Sequence, residues 1–219
     1  MSEAVIFDWD GTLADTRRVV VSSFQKALRE VDCNIGDAFI EQRIGIGSAE
    51  TFREILRSSG KSVDETLIKR LVKMKVRNEI EMSAKVKLFG GAFELLQSLR
   101  GKVKLGMASM SDRAVIRHML KMTGTEPLFA VVVAADDVVN PKPSPEVFLK
   151  CARELKCSPE KCVVVEDSVF GVIAAETAKM KCIAVLTGVH SRKRLEKAHP
   201  DLIINSLKEK REILNFIFH

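Results

Sequence analysis

The sequence predicts an α/β protein: a doubly wound parallel sheet into which a helical module has been inserted. Three observations predict it. Short, near-continuous apolar runs recur along the chain, helical spacing fills the stretches between them, and one gap is far longer than the others. Strands that are apolar at every position are buried on both faces, as in a parallel sheet covered by helices on both sides. Alternation of such strands with helices is the pattern of an α/β layer architecture.

Taken in order, Ala4-Val5-Ile6-Phe7 is the first predicted strand, and residues 103–108, 131–134, 163–165, 183–186 and 202–204 supply five more. Residues 149–155 and 172–180 show helical spacing between strands, and Ser144 before Pro145 reads as an N-cap with proline at the first helical position. Between the first and second strands lie about ninety residues, where a parallel crossover needs only a dozen or more. That gap is helical in pattern at 19–31, 38–43, 49–56 and 65 to about 82, and no convincing strand or proline interrupts it. We read it as an insert that leaves the sheet after Leu13 and rejoins near Gly90-Gly91, giving a core of 1–15 and 88–219 around a module of 16–87.

Composition narrows the function classes. A chain of 219 residues suits one domain, or one domain carrying a smaller one. With 46% hydrophobic and 29% charged residues it is neither disordered nor collagen-like. Its longest apolar runs, such as 128–135, are too short to span a bilayer, and no basic-then-apolar leader precedes the first strand. The expected compartment is the cytoplasm, with no membrane partner. Five cysteines are scattered without a C-x-x-C pair, so buried free thiols are expected rather than disulfides or zinc. The formal charge of +6 raises the question of nucleic acid. Basic residues are interleaved with acids, as at Lys69, Arg70, Lys73, Glu79 and Glu81, and with no Tyr and one Trp there is little for bases to stack on. A basic surface that favours small anionic substrates is the better reading.

Chemistry concentrates where strands end. The first strand runs into Asp8-Trp9-Asp10-Gly11-Thr12-Leu13-Ala14-Asp15-Thr16, and extended-chain alternation puts Asp8 and Asp10 on one side. Gly11 then lets the chain turn. The second strand closes on Ser109-Met110-Ser111, the third is followed by Asn140-Pro141-Lys142-Pro143, and the fourth ends in Glu166-Asp167-Ser168. Each feature alone has a plain structural explanation: solvated acids at a turn, a helix-capping Ser109, an exposed lysine, an N-cap at Asp167 or Ser168. A calcium loop of the helix–loop–helix kind is excluded because a strand, not a helix, precedes the first acids. Together they gather four acids, a hydroxyl and one lysine at strand carboxyl ends, where open parallel sheets bind ligands. That balance of charge implies a hard divalent cation and a dianionic group bridging it to Lys142.

The motifs D-W-D-G-T-L-A-D-T, the Ser109 turn, K-P-S-P-E-V-F and E-D-S-V-F-G-V-I-A-A-E-T-A-K-M occur in that order and span essentially the whole chain. This set resembles the haloacid dehalogenase superfamily, in its branch of phosphatases and β-phosphoglucomutase-like enzymes with a helical cap. The resemblance implies a Rossmann-like core with a four-helix-type cap acting as a lid, and a phosphoryl group carried transiently on an aspartate. Asp8 would be the nucleophile, with Asp10 the acid and then the base. Ser109 and Lys142 would hold the phosphoryl group, helped by Gly11, Thr12 and Met110. Asp8, Asp10 (through its carbonyl) and Asp167 would ligate Mg²⁺, with Glu166 joining directly or through water. In the cap, Arg43-Ile44-Gly45-Ile46-Gly47-Ser48 is similar to the glycine loop of phosphoglycolate and related phosphatases. Arg43 and Gly45 are therefore candidate substrate contacts, and Arg17 and Arg18 could supply a cation.

Asp10 favours phosphate-ester chemistry over dehalogenation, and Thr12-Leu13 resembles the phosphatase form where mutases read D-G-V. The cap also lacks the arginine that β-phosphoglucomutases carry shortly after the glycine. Met110 stands where relatives carry a small polar residue, Phe89 where they carry proline, and Lys179 where they carry glycine. The expected function is Mg²⁺-dependent hydrolysis of a small phosphorylated metabolite, of the sugar-phosphate or phosphoglycolate type. The rivals are a β-phosphoglucomutase-like phosphosugar mutase and a non-catalytic binding protein on the same fold. The sequence says nothing of oligomeric state and is compatible with a monomer.

Overall fold

The computed structural model describes residues 2–219. Strand β1 (Ala4–Phe7) is buried along its whole length. After a turn come β2 (Ala14–Asp15) and four helices, α1 (Arg17–Arg29), α2 (Asp37–Glu41), α3 (Ser48–Ser58) and α4 (Glu65–Met82). Strand β3 (Lys87–Leu88) then returns antiparallel to β2, pairing Leu88 with Ala14 and Lys87 with Asp15. The chain continues through α5 (Ala92–Leu99), β4 (Lys104–Ala108), α6 (Arg113–Met122), β5 (Val131–Val133) and α7 (Glu146–Leu155). It ends with β6 (Cys162–Glu166), α8 (Val169–Thr177), β7 (Lys181–Val185), α9 (Arg192–Glu196), β8 (Leu202–Ile204) and α10 (Lys210–Phe218).

Six strands form one parallel sheet in the order β5-β4-β1-β6-β7-β8. Counting only these strands, the order is 3-2-1-4-5-6, which reverses between β1 and β6 and leaves a crevice at their carboxyl ends. Register fixes what meets there. Phe7 pairs with Met107 on one side and Val165 on the other, so the residues just after β1, β4 and β6 emerge side by side. Alternation along β1 sends Val5, Phe7 and Trp9 into the layer filled by α5, α6 and α10, and Ala4 and Ile6 into the layer filled by α7, α8 and α9.

Helices α1–α4 carry an apolar cluster of their own. Helix α1 buries Val20, Val21, Phe24, Ala27 and Leu28, an i, i+1, i+4, i+7, i+8 stripe that meets Phe52, Ile55 and Leu56 of α3 and Ile68 and Leu71 of α4. The Phe24 and Phe52 ring centroids lie 4.7 Å apart. A fully buried side chain of this kind contributes about 1.5–3 kcal/mol. The cap is thus held by its own interior as well as by the sheet.

Three details differ from the sequence reading. The β2–β3 ribbon at the neck of the insert went unseen, because two residues per strand are too few to show alternation. Helix α7 starts at Glu146 with Pro145 in the N-cap place, so Ser144 is one residue too early for that role; its Oγ only reaches the Glu146 N–H at 3.4 Å. Helix α8 starts at Val169, earlier than the apolar spacing suggested, because Ser168 caps it by accepting the Gly171 N–H at 3.0 Å. All five cysteines are buried and free, and among the described residues no helix is long and apolar enough to cross a membrane.

Candidate active site

Asp8 follows β1 with its N–H bonded to the Val165 carbonyl at 3.0 Å, so its backbone still belongs to the sheet. Its side chain is nearly out of solvent, as is that of Lys142, which comes from the loop after β5. Lys142 Nζ donates to Asp8 Oδ1 and to Glu166 Oε1, both at 2.7 Å, above the Phe148 ring. Burial pushes the Asp8 carboxyl up to about 8 despite the Lys142 ammonium, and Glu166 and Asp10 add to the rise. Burial works against the charge on Lys142 too, yet Asp8 and Glu166 outweigh it and hold the ammonium above its ordinary range.

Glu166 is used up by the protein itself. Besides the lysine on Oε1, its Oε2 accepts the N–H groups of Asp167 at 2.8 Å and Ser168 at 2.7 Å. It thus anchors Lys142 and the turn after β6. Thr12 is engaged in the same way: its hydroxyl donates to Asp167 Oδ1 at 2.8 Å and its N–H to the Trp9 carbonyl. Gly11 also spends its N–H internally, on the Ala14 carbonyl, and its own carbonyl accepts the Thr187 hydroxyl at 2.6 Å. Its contribution is space: with φ +83°, a Cβ there would lie 2.5 Å from Asp167 Oδ2, and one on Gly188 only 1.7 Å away. Burial, Glu166 and Asp8 all raise the Asp167 carboxyl well above the ordinary value.

Asp10 sits on the same side as Asp8, and Trp9 between them is fully buried in the opposite layer. Ser111 Oγ donates to Asp10 Oδ2 at 2.7 Å, Ser109 Oγ approaches the same oxygen at 3.4 Å, and Oδ1 is buried with no partner. Ser109 Oγ also accepts the Ser111 N–H at 3.0 Å. The N–H groups of Trp9, Asp10 and Met110 donate to no backbone acceptor among the described residues, leaving three donors at the strand ends.

Asp8, Asp10, Met110 and Ser111 share a cavity of about 20 Å³ with Val20, Phe24, Arg43, Gly45, Thr51 and Lys75 of the cap. That is space for about one water. Cap and strand ends thus line one narrow space together. A larger cavity of about 530 Å³ adjoins it over Asp167, lined by Gly11, Arg17, Arg18, Phe89 and Gly188. Arg17 is held there by a two-point bond to Glu41 at 2.8 and 2.7 Å. Arg43 lines the small cavity but is paired with Glu54 and stacked 3.4 Å over the Phe39 ring. Gly45 faces Ser168 across the seam.

Sequence reasoning missed Ser111, Lys75, Glu79, Ser48 and Asp112. Lys75 and Glu79, one turn apart on α4, form a buried ion pair in the cap wall. Ser48 of the cap donates to Asp112 Oδ2 of the core at 3.0 Å. The i, i+4 spacing of Lys75 and Glu79 was readable, but on a helix rich in charge it looks like any solvated pair.

Among the described residues no three His, Cys, Asp or Glu side chains are gathered so as to hold a metal ion alone. Asp8, the Asp10 carbonyl and Asp167 remain the groups that would hold such an ion, with Glu166 beside them engaged by Lys142 and two N–H groups. The chemistry of this set fits a hard cation. Both carboxyls are raised by burial and by neighbouring acids, and one lysine among Asp8, Glu166 and Asp167 leaves negative charge uncompensated.

Residues 5–185 match the family model of the haloacid dehalogenase-like hydrolases. Pyrophosphatase PpaX of Oceanobacillus iheyensis is 28% identical over 94% of this chain and 93% of its own. The fructose-1-phosphate phosphatase YqaB of Escherichia coli is 31% identical over 83% of this chain and 95% of its own. The crystal structure of a β-phosphoglucomutase from Clostridium difficile superposes with a TM-score of 0.83 at 27% identity, covering 99% of this chain and 100% of that one. Phosphatases of this family generally use a divalent metal. With its sheet order, its strand-end acids and these matches taken together, the chain belongs to the haloacid dehalogenase-like hydrolases and is a phosphatase of that family.

Proposed function

We propose that the protein hydrolyses a small organic phosphate monoester, of the sugar-phosphate or phosphoglycolate type, through a phosphoryl group carried on Asp8, with Mg²⁺ as the metal. The observation that carries this reading is Asp8 itself: a buried carboxylate held at 2.7 Å by Lys142, beside a second aspartate with one unpartnered oxygen. Asp8 and Asp167, with the Asp10 carbonyl, would hold Mg²⁺, which when bound offsets phosphate charge. Residues 16–87 form the cap in this reading, and the rest the catalytic core.

A carboxylate attacks a dianion poorly unless the phosphoryl charge is offset first. Lys142 would offset it, joined by the N–H groups of Trp9, Asp10 and Met110, which meet no backbone acceptor among the described residues. Asp8 forms a bond to phosphorus while the bond from phosphorus to the leaving oxygen breaks, and that oxygen takes a proton from Asp10. Water then attacks phosphorus, Asp10 takes its proton, and the bond to Asp8 breaks to release inorganic phosphate. Ser111 and Ser109 orient Asp10 for both steps. The cavity of about 20 Å³ is too small for substrate, so the cap must open to admit it.

The test uses acyl phosphate, whose leaving group needs no protonation. Asp8→Asn should form no phosphoenzyme and show no turnover. Asp10→Asn should still phosphorylate Asp8 and then stall, since general acid–base assistance is worth ~10² to 10⁴ in rate. EDTA should abolish wild-type turnover and Mg²⁺ restore it. Label on Asp8→Asn, or parental turnover by Asp10→Asn, overturns the role assignment.

A further inference from the structure

The cap and the loop after β4 face one another across the small cavity that holds Asp8 and Asp10, and we take that side as the one the leaving group meets. Three cations stand along that side and its flanks, and each is already neutralised. Lys75 is paired with Glu79, Arg43 with Glu54, and Arg53 with both Glu50 and Glu65. Asp112 adds a carboxylate that these pairs do not balance. It stands in the N-cap place of α6 yet makes no capping hydrogen bond; it turns to the cap instead and accepts the Ser48 hydroxyl at 3.0 Å. Ser48 lines the small cavity with Asp8 and Asp10, and it also lines the adjoining cavity of about 240 Å³, where Asp112 and Asp136 are exposed to an occupant. Burial chiefly raises the Asp112 carboxyl; Lys75 and the Ser48 hydroxyl oppose the rise, and the Asp136 carboxylate adds to it. Opposite them, Val20 and Phe24 give the small cavity an apolar side.

The linings of these two cavities offer hydroxyls, apolar surface and the charges of Asp112 and Asp136, and every cation in them has an acid of its own. We propose that the leaving group of the physiological ester is uncharged, and that Asp112 selects against esters whose leaving group carries a carboxylate or a second phosphate. The proposal rests on the phosphatase reading and narrows it. It separates this chain from an enzyme built for pyrophosphate, whose leaving group is itself a phosphate, and from a mutase that must seat a bisphosphate. Two like charges about 6 Å apart at an effective dielectric near 20 discriminate by roughly tenfold to a hundredfold. A neutral polyol meets no such penalty.

The experiment compares two esters of similar size, glycerol 3-phosphate with a neutral leaving group and phosphoglycolate with an anionic one. Wild-type kcat/KM should favour glycerol phosphate by at least about tenfold. Asp112→Asn, which keeps the shape and the Ser48 contact, should shrink that ratio at least fivefold, mainly through a lower KM for phosphoglycolate. Ser48→Ala, which frees the Asp112 carboxylate but keeps its charge, should leave the preference for the neutral ester in place. Calorimetric binding of both esters to Asp8→Asn supplies a readout that does not depend on turnover. If that variant binds glycerol phosphate preferentially while wild type releases phosphate from neither ester, the phosphatase reading falls and the charge selection stands. If both esters are hydrolysed and phosphoglycolate is equal or better, or if Asp112→Asn leaves the ratio unmoved, the charge selection falls and the phosphatase reading stands.

Discussion

The two halves of the chamber manage buried charge in opposite ways. In the core half, Asp8, Glu166 and Asp167 share one lysine, and burial raises the carboxyls of Asp8 and Asp167. In the cap half, Lys75 and Arg43 each have an acid of their own. The core half is held in this unfavourable state by the sheet: Asp8 is tied to Val165, Glu166 to two backbone N–H groups, and Asp167 to Thr12. Consistency between local chemistry and fold breaks where chemistry is done, and is restored elsewhere. The core half thus carries more buried acid than its one lysine balances, whereas each cation of the cap half has an acid beside it.

Removing the one shared cation tests this most severely. Lys142→Met should cut kcat/KM by ~10²- to 10³-fold, as expected for loss of a preorganised contact to developing phosphoryl charge. It should also lower stability by about 3–5 kcal/mol, because it strands buried carboxylates. Phosphate release and urea unfolding measure the two effects. An activity loss below tenfold would reduce Lys142 to a structural counter-ion and erase the contrast between the halves.

What the sequence made readable follows the same division. The six strands are near-continuous apolar runs, the acids and Ser109 follow them directly and Lys142 stands between two prolines in the loop after β5, so Asp8, Asp10, Ser109, Lys142, Glu166 and Asp167 could all be picked out by local pattern. How they divide the work could not. Thr12 and Glu166 look like ligands in the chain but spend their oxygens on neighbours, a matter of hydrogen-bond geometry across the β1–β6 crevice. The cap side was less legible still. Ser48 and Asp112 are 64 residues apart, and they meet only because α3 closes over the loop before α6. Lys75 and Glu79 read as surface charges until α4 is laid against the core.

A milder break falls on the cap half. Lys75→Met should destabilise the protein by about 1–3 kcal/mol, less than the 3–5 typical of a buried pair, because Glu79 can take up a proton once its partner is gone. Adding Glu79→Leu should return most of the loss, since a buried ion pair replaced by apolar groups is often neutral in stability. Urea unfolding of the wild type, the single variant and the double variant gives the coupling. If the double variant is as unstable as the single, the pair is more than a self-contained neutralisation and the two halves are not independent.

The last effect is in pH. Burial pushes the Glu79 carboxyl from its ordinary 4.5 up to about 7; Lys75 opposes the rise, and Asp10 and Asp112 across the seam add to it. Between those two values the folded protein keeps a proton that the unfolded chain has released. The folded state then binds more protons, so stability conferred by this group is full below the unfolded value and is lost as pH rises through about 7. Asp8 and Asp167 are raised as well and bend the wild-type curve in the same sense, so the curve alone cannot isolate Glu79. The comparison with Glu79→Gln can, because the core carboxyls titrate in both proteins and cancel. The wild type should lose stability relative to Glu79→Gln on going from about pH 5 to about pH 8. A difference that stays flat across that range would mean that Glu79 is ionised throughout, and that Lys75 compensates its charge in full before the pH is raised.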